Sequence, residues 1–287
     1  MKYLKLMRVK HYLKNSLVFL PIIFSGELAN KELLMKSVIG FFCFSLLASV
    51  IYIMNDIKDV EKDKNHPTKK KRPIASGEIS IRNAIILAIF LFGISMVINY
   101  LVGRDIWFSW FCVGFYFIFN FSYSILNLKK IPLLDVVLLV FGFVFRMYYG
   151  SVLTGVAISS SLYLVVISSA FFMGFGKRRN ELTGTAGETR DVLNVYNKEF
   201  LEKSMYSCMT LAIVFYSLWC VEKDKTVLSN IDFLWTVPIF IVIMLRYSML
   251  IEGNSDGDPI NVILADKVLI GLVILMATVL FLFLYIG

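Results

Sequence analysis

Long apolar segments recur along the whole chain, and this pattern limits the possible folds more than any other feature. A helix that crosses a membrane needs about 20 mostly apolar residues. Because 58% of the residues are hydrophobic and only 17% are charged, too few polar side chains remain to cover a soluble globule. The sequence therefore predicts an all-α polytopic membrane protein, a bundle of about nine transmembrane helices in a single domain over residues 1–287. The predicted helices, of which the first is short, lie near residues 12–27, 33–55, 80–102, 105–126, 132–154, 159–177, 203–221, 231–250 and 264–286.

The distribution of basic residues predicts the orientation of this bundle. The chain has 29 Lys and Arg residues and a net charge of +8, and most of these residues lie in the N-terminal segment and in every second gap between apolar runs. Cytoplasmic loops carry an excess of Lys and Arg, so we expect a multi-pass protein of the cell membrane with a cytoplasmic N-terminus and working face. Charge placed in this way sets topology and does not indicate binding of nucleic acid. The four cysteines form no CxxC pair, which favours buried thiols over metal ligands.

An acidic motif, NDIKDVEKD at residues 55–63, follows the second apolar run. At about 100° per residue, Asp56, Asp59 and Asp63 share one stripe of a helix, and Asn55 lies beside it. Neighbouring carboxylates repel each other unless a cation joins them. Mg²⁺ is suitable because it takes one or two carboxylates and completes its shell with water and substrate phosphate. The alternative is an acidic helix face exposed to solvent.

A basic loop follows the acidic motif, and its two prolines end the helix. Three lysines at residues 69–71 are typical of topogenic charge or of attraction to anionic lipid. Arg72 is different because it precedes Pro73, and its guanidinium group is suited to binding phosphate. A basic loop beside an acidic stripe favours a phosphorylated substrate that carries a metal ion.

Three further polar segments lie in predicted cytoplasmic loops. The first runs from Tyr123 through Lys129 to Asp135, where a carboxylate at a helix start is a metal or substrate ligand or a simple N-terminal cap. Arg146 lies about 16 Å deeper along the same helix. A charge at that depth in a membrane indicates a functional role, and the alternative is a buried structural ion pair. The second segment includes Lys177, Arg178 and Arg179, which form either a stop signal or an anion clamp. A third segment, Asp256-Gly257-Asp258-Pro259, is typical of a turn that starts a helix.

Together these segments resemble the UbiA-type membrane prenyltransferase superfamily, and in particular its decaprenyl-phosphate phosphoribosyltransferase branch. The resemblance spans nearly the whole chain. It includes the opening from Arg8 to Asn15, the NDxxDxxxD motif, HPTKKKRPIASG at 66–77, the segment 123–135, GFVFR at 142–146, GKRRNE at 176–181, and the RY, GDP and LADK segments near the C-terminus. The chain departs from that branch at His11 and Tyr12, where Gln and Trp are usual. It departs from prenyl-diphosphate enzymes after the sixth helix, where GKRRNE and the lone Asp191 stand in place of a second aspartate-rich motif.

The resemblance implies nine helices around a cavity open to the cytoplasmic leaflet. It implies an Mg²⁺-dependent transfer of 5-phosphoribosyl from phosphoribosyl diphosphate to a polyprenyl phosphate. The lipid phosphate is itself an anionic nucleophile, so no protein nucleophile is needed. One alternative function is a prenyltransferase that uses an aromatic acceptor, and another is a carrier without enzymatic activity. The oligomeric state, including a homo-oligomer, is left open. The implied metal ligands are Asp56, Asp59 and Asp63, with Asp135 as a further catalytic residue for the ribose hydroxyls or a second metal; the implied substrate-binding residues are Lys14, Asn55, Arg72, Tyr123, Lys129, Arg146, Lys177 and Arg178.

Overall fold

The computed structural model describes residues 1–125, 128–183, 191–226, 232–253, 255 and 257–286. All regular secondary structure in these ranges is helical. The α-helices are α1 Lys2–Leu6, α2 Leu20–Ser25, α3 Lys31–Lys58, α4 Val60–Lys64, α5 Ile81–Gly103, α6 Trp107–Ile125, α7 Leu134–Thr154, α8 Ser160–Thr183, α9 Lys198–Thr226, α10 Val237–Glu252, α11 Pro259–Ala265 and α12 Lys267–Tyr285. Short 3-10 helices cover Val9–Phe19, Lys69–Lys71, Leu128–Lys130, Asp191–Asn194 and Phe233–Thr236.

The predicted fold class is confirmed, because seven helices within the described ranges are long and apolar enough to cross a membrane. They are α3, α5, α7, α8, α9, α10 with its preceding 3-10 turn, and α12. Two predicted helices are not among the seven. The segment 12–27 is mostly a 3-10 helix followed by the short α2, and α6 is apolar but shorter over its described part. The number nine therefore stays a prediction, as does the N-terminal orientation.

The chain divides into two compact units. The first comprises Met1–Ile23, Glu27–Leu128 and Phe145–Val156, and the second comprises Phe24–Gly26, Lys129–Val144 and Ala157–Gly287. Each unit contains its own cluster of candidate functional residues. That residues 1–287 form a single catalytic domain stays a prediction.

The first unit is built around α3, which packs against α5 and the 3-10 helix Val9–Phe19. A glycine permits one close contact: a Cβ atom at Gly150 would lie 2.0 Å from the carbonyl oxygen of Val18. In the interior, Phe44 on α3 packs against Tyr116 on α6 and Tyr149 on α7, with ring centroids 4.6 and 4.9 Å apart. This packing fixes the N-terminal segment beside α3, which carries the acidic motif at its end.

The second unit is built around the pair α8 and α9. Its helix ends follow ordinary capping chemistry. Asp258 accepts a hydrogen bond from the amide of Ile260 at the start of α11, so the predicted turn and helix start is confirmed there, whereas Asp256 lies outside the described residues. Asp266 caps α12 and also accepts two hydrogen bonds from Arg246, and these interactions hold the pKa of Asp266 below its usual range.

Candidate active site

The acidic motif occupies the junction of α3 and α4. The predicted helix is interrupted at Asp59, where φ is −92° and ψ is 8°. The hydrogen-bonding pattern nevertheless continues through the interruption, because Asp59 donates its amide to Asn55 and Asp63 donates its amide to Asp59, each at 2.9 Å. Asp56 and Asp63 therefore keep the common side that their spacing predicts.

Arg72 joins these two carboxylates. Its Nη1 atom lies 3.2 Å from Oδ1 of Asp56 and 2.7 Å from Oδ2 of Asp63. The side chains of Asp56 and Asp63 are 2% and 6% exposed, whereas that of Arg72 is 28% exposed. Two buried carboxylates thus converge on one cation that water can still reach.

The loop before α5 holds Arg72 in this position. Arg72 has extended backbone angles, as expected for a residue before proline. Ser76 and Ile79 donate their amides to the carbonyls of Arg72 and Pro73, at 2.8 and 2.9 Å. Ile74 and Ile79 are buried, so the loop is anchored on both sides of the turn. The predicted proline-shaped loop is confirmed.

A second arginine, Arg8, reaches the same carboxylate. Its Nη2 atom lies 2.5 Å from Oδ1 of Asp56, and its guanidinium group lies 4.9 Å from the ring centroid of Tyr52. Arg8 has a φ of 52°, a left-handed backbone conformation that residues other than glycine adopt at a cost in free energy. Ser49 on α3 stabilises this turn by donating a hydrogen bond to the carbonyl of Met7 at 2.9 Å.

The second unit contains a different buried cluster, at the start of α7. Asp135 is fully buried and accepts hydrogen bonds from Nε of Arg178 and from the hydroxyl of Tyr196, the latter at 2.7 Å. Arg178 is fully buried too, and its Nη1 atom lies 2.6 Å from Oε2 of Glu181. Arg178 therefore bridges two carboxylates, as Arg72 does in the first unit.

Tyr196 completes this second cluster. Its hydroxyl accepts a hydrogen bond from the amide of Leu133 at 2.6 Å. Leu133 has a φ of 66°, so the tyrosine holds a strained turn while it binds Asp135. Burial, followed by the hydrogen bond to Asp135, raises the pKa of Tyr196 to about 12. The tyrosine therefore stays protonated and keeps donating its hydrogen to the carboxylate.

The next two residues of α8 tie its end to that of α10. Arg179 pairs with Glu202 at 3.0 Å and donates to the carbonyls of Ile251 and Glu252. Asn180 donates to the hydroxyl of Ser255 at 2.6 Å. These contacts give Arg179 a structural role.

Comparison with known proteins assigns the chain that carries these residues to a family. The family model of the UbiA prenyltransferase family matches residues 18–180. This chain belongs to the UbiA prenyltransferase family. It is 31% identical over 274 residues to the decaprenyl-phosphate phosphoribosyltransferase of Corynebacterium glutamicum, a match that covers 93% of this chain and 81% of the relative. It is also 31% identical over 280 residues to the Mycolicibacterium smegmatis protein of that name, with 93% and 87% coverage.

Solved structures support the same fold. A UbiA homolog from Archaeoglobus fulgidus, bound to GPP and Mg²⁺, superposes with a TM-score of 0.73. The alignment covers 98% of this UbiA-family chain and 99% of that chain. The sequence identity is 20%, so this similarity concerns the fold.

The acidic motif of this UbiA-family chain has the chemistry that Mg²⁺ requires. Asp56 and Asp63 present buried carboxylate oxygens towards a common cation, and Mg²⁺ is usually bound through one or two carboxylates plus water and phosphate. Within the described ranges, no three His, Cys, Asp or Glu side chains are grouped as a metal cage. Asp56 and Asp63 are the two carboxylates of the motif that share Arg72 as a partner, and Asp59 remains a predicted ligand at the helix junction.

The other predicted site residues fall into three groups. Arg146 donates to Oδ1 of Asn15 at 2.6 Å and to the hydroxyl of Tyr116 at 2.8 Å. Both of these acceptors are neutral side chains. Lys14, Asn55 and Lys177 are partly buried. The side chains of Tyr123 and Lys129 lie outside what the structure describes.

Proposed function

We propose that this UbiA-family protein transfers the 5-phosphoribosyl group of phosphoribosyl diphosphate to a polyprenyl phosphate and releases diphosphate. The observation that carries the proposal is the match over 93% of the chain to relatives named decaprenyl-phosphate phosphoribosyltransferase. The convergence of Asp56 and Asp63 on one cation supports a site for a diphosphate with its metal ion.

In the proposed reaction, an oxygen of the lipid phosphate attacks the anomeric carbon of the ribose. The new bond joins that carbon to the lipid phosphate, and the bond to the diphosphate oxygen breaks with its electron pair leaving on diphosphate. The attacking oxygen is already anionic, so the protein needs no base for it. Its task is to hold two anions in line and to neutralise the leaving group.

The residues of the first unit are suited to the leaving diphosphate. Asp56 and Asp63 would hold Mg²⁺, which supplies charge neutralisation when bound. Arg72 and Arg8 are partly exposed beside these carboxylates. One guanidinium group can donate two parallel hydrogen bonds to the oxygens of a phosphate group. We assign both arginines to the diphosphate, with Asn55 assisting and Asp59 as a further ligand.

The remaining anions need separate cations. The 5-phosphate of the sugar and the phosphate of the lipid are each bound away from the leaving group. We assign Lys14, Lys129 and Lys177 to these two anions, with Tyr123 and Arg146 as further substrate-binding residues. In the second unit, Asp135 and Arg178 form a separate buried cluster.

We also propose that the site faces the cytoplasm of a cell-membrane protein. Basic residues concentrate in the N-terminal segment and in alternate loops of the predicted topology, including 58–82 and 177–203. The positive-inside rule places these segments in the cytoplasm. Phosphoribosyl diphosphate is a water-soluble anion that could reach the site from that compartment.

The test is purified protein with radiolabelled phosphoribosyl diphosphate, Mg²⁺ and a panel of polyprenyl phosphates. We expect label to enter the lipid fraction only when both substrates are present. A parallel reaction supplies a polyprenyl diphosphate and 4-hydroxybenzoate, the substrates of the alternative prenyltransferase. Robust prenylation of that acceptor, with no labelled lipid from phosphoribosyl diphosphate, would reverse the assignment.

A further inference from the structure

Each compact unit contains an arginine that bridges two carboxylates. In the first unit Arg72 lies between Asp56 and Asp63, and in the second unit Arg178 lies between Asp135 and Glu181. Both clusters thus hold carboxylate oxygens around a cationic centre. A divalent ion could in principle replace the guanidinium group in either cluster, since carboxylates are its preferred ligands.

Exposure separates the two clusters. The side chain of Arg72 is 28% exposed, and that of Arg8, the second cation on Asp56, is 23% exposed. The side chain of Arg178 is 0% exposed, and those of its partners Asp135 and Glu181 are 0% and 6% exposed. An arginine in contact with water can turn away from its carboxylates at little cost. A fully buried arginine has no solvent into which its charge can move, and separating it from its partners leaves an uncompensated buried charge.

The surroundings of Arg178 also fix its carboxylate partner. Tyr196 donates to the second oxygen of Asp135, so the two oxygens of this carboxylate have different donors. The same hydroxyl binds the amide of Leu133 in the strained turn before α7. Opening the cluster for a metal ion would break these contacts together.

We propose that Arg178 is a resident cation that fills a potential metal site in the second unit, so that Asp135 and Glu181 bind no metal ion. Among the described residues, the carboxylates of the acidic motif are then the ones that bind the metal ion. This inference rests on the proposed function in one respect, because the contrast with the first unit assumes the metal site at Asp56 and Asp63. It assigns Arg178 to its two carboxylates instead of to a substrate anion.

The inference predicts which carboxylates govern metal binding. Mn²⁺ binding to purified protein is measured by electron paramagnetic resonance, with and without inorganic diphosphate. We expect Asp56→Asn to remove the protein-dependent Mn²⁺ and Asp135→Asn to leave the number of bound ions unchanged. A wild-type protein that binds an additional ion, lost in a folded Asp135→Asn variant, would overturn the inference.

A gain of metal binding is the sharper test. Arg178→Met removes the resident cation and leaves Asp135 and Glu181 in place, so we expect one additional Mn²⁺ per chain. That ion should disappear again in the double variant Arg178→Met/Asp135→Asn. Arg179→Met is the matched control, because it removes the neighbouring arginine and its contacts to Glu202 and α10 but leaves both carboxylates paired. It should add no ion.

The outcomes separate this inference from the proposed function, because neither phosphoribosyl diphosphate nor a lipid is present. Folded Arg178→Met protein that gains no ion contradicts the inference. Loss of wild-type binding in Asp135→Asn contradicts it as well, even where Arg178→Met does not fold. Wild-type protein that binds no Mn²⁺ contradicts the metal assignment at Asp56, whereas the gain in Arg178→Met still tests the role of Arg178.

Discussion

Asp56 is the carboxylate of the first unit that binds both candidate arginines. Its side chain is 2% exposed and contacts both Arg8 and Arg72. Replacing it by asparagine keeps the shape of the side chain and removes the charge that a metal ion requires. Arg72 would retain Asp63 as a partner, since it binds that carboxylate at 2.7 Å. The substitution should therefore affect function more than folding.

We expect Asp56→Asn to abolish phosphoribosyl transfer while the protein still inserts and purifies. Asp59→Asn should have the same effect if the residue at the helix junction is a ligand. Glu61→Gln is the control, because Glu61 lies within the acidic motif on the short helix α4 and pairs with Lys64 at the surface. Transfer above about a tenth of wild type in the Asp56 variant, measured as labelled lipid, would contradict the metal assignment.

Lys177 offers a second test at single-residue scale. If it binds a substrate phosphate, Lys177→Ala should lower transfer at least tenfold, or about 1.4 kcal/mol of transition-state stabilisation. Lys203→Ala provides the comparison, because Lys203 is highly exposed and pairs with Glu199. Equal rates for the two variants would remove Lys177 from the site.

The sequence predicts local relations among these residues and misses distant ones. The common side of Asp56 and Asp63 follows from helical periodicity, which carries across the junction. Arg8 is 48 positions from Asp56 and Tyr196 is 61 positions from Asp135. No periodicity relates positions so far apart, so these contacts become visible only in the folded chain, where Arg8 and Leu133 also have left-handed backbone angles.

At the scale of elements, helix ends hold the candidate residues in place. The start of α7 depends on Tyr196, which satisfies the amide of Leu133 and one oxygen of Asp135. The end of α8 depends on Arg179 and Asn180, which bind α10 and the residues after it. The predicted helix start at Asp258 and the loop at Pro73 are confirmed because they are short-range, whereas the docking of one helix end on another arises from tertiary packing.

We expect Tyr196→Phe to destabilise the second unit by about 1–3 kcal/mol, because it removes the hydroxyl donor of the buried Asp135 carboxylate and the acceptor of the Leu133 amide. The effect is measured as a lower midpoint of thermal unfolding in detergent. Tyr206→Phe is a suitable control, since the hydroxyl of Tyr206 binds the exposed carboxylate of Glu252. A midpoint shift no larger than that of the control would show that Tyr196 does not hold this turn.

At the scale of the whole molecule, hydropathy predicts a helical membrane protein because a long apolar helix satisfies its own backbone in lipid. It predicts less well where a segment is short. The 12–27 segment contains a 3-10 helix, and the described part of α6 is shorter than a typical span. Tertiary contacts, such as those of the N-terminal segment with α3, determine the local conformation there.

The charge distribution gives a topology that can be measured. We expect reporter fusions after residues 70 and 190 to report the cytoplasm, and fusions after residues 28 and 225 to report the opposite side. The physical reason is the retention of Lys-rich and Arg-rich segments on the cytoplasmic side. A cytoplasmic signal from the fusion at 225 would mean that the predicted number of membrane crossings is wrong.

The transfer reaction itself tests the central claim most directly. Purified wild-type protein is mixed with Mg²⁺, polyprenyl phosphate and phosphoribosyl diphosphate that carries label in the ribose and in the diphosphate. The proposal predicts ribose label in the lipid fraction, an equal amount of released labelled diphosphate, and neither product in Asp56→Asn. Lipid that stays unlabelled with every polyprenyl phosphate tested, while the folded wild-type protein prenylates 4-hydroxybenzoate, would contradict it.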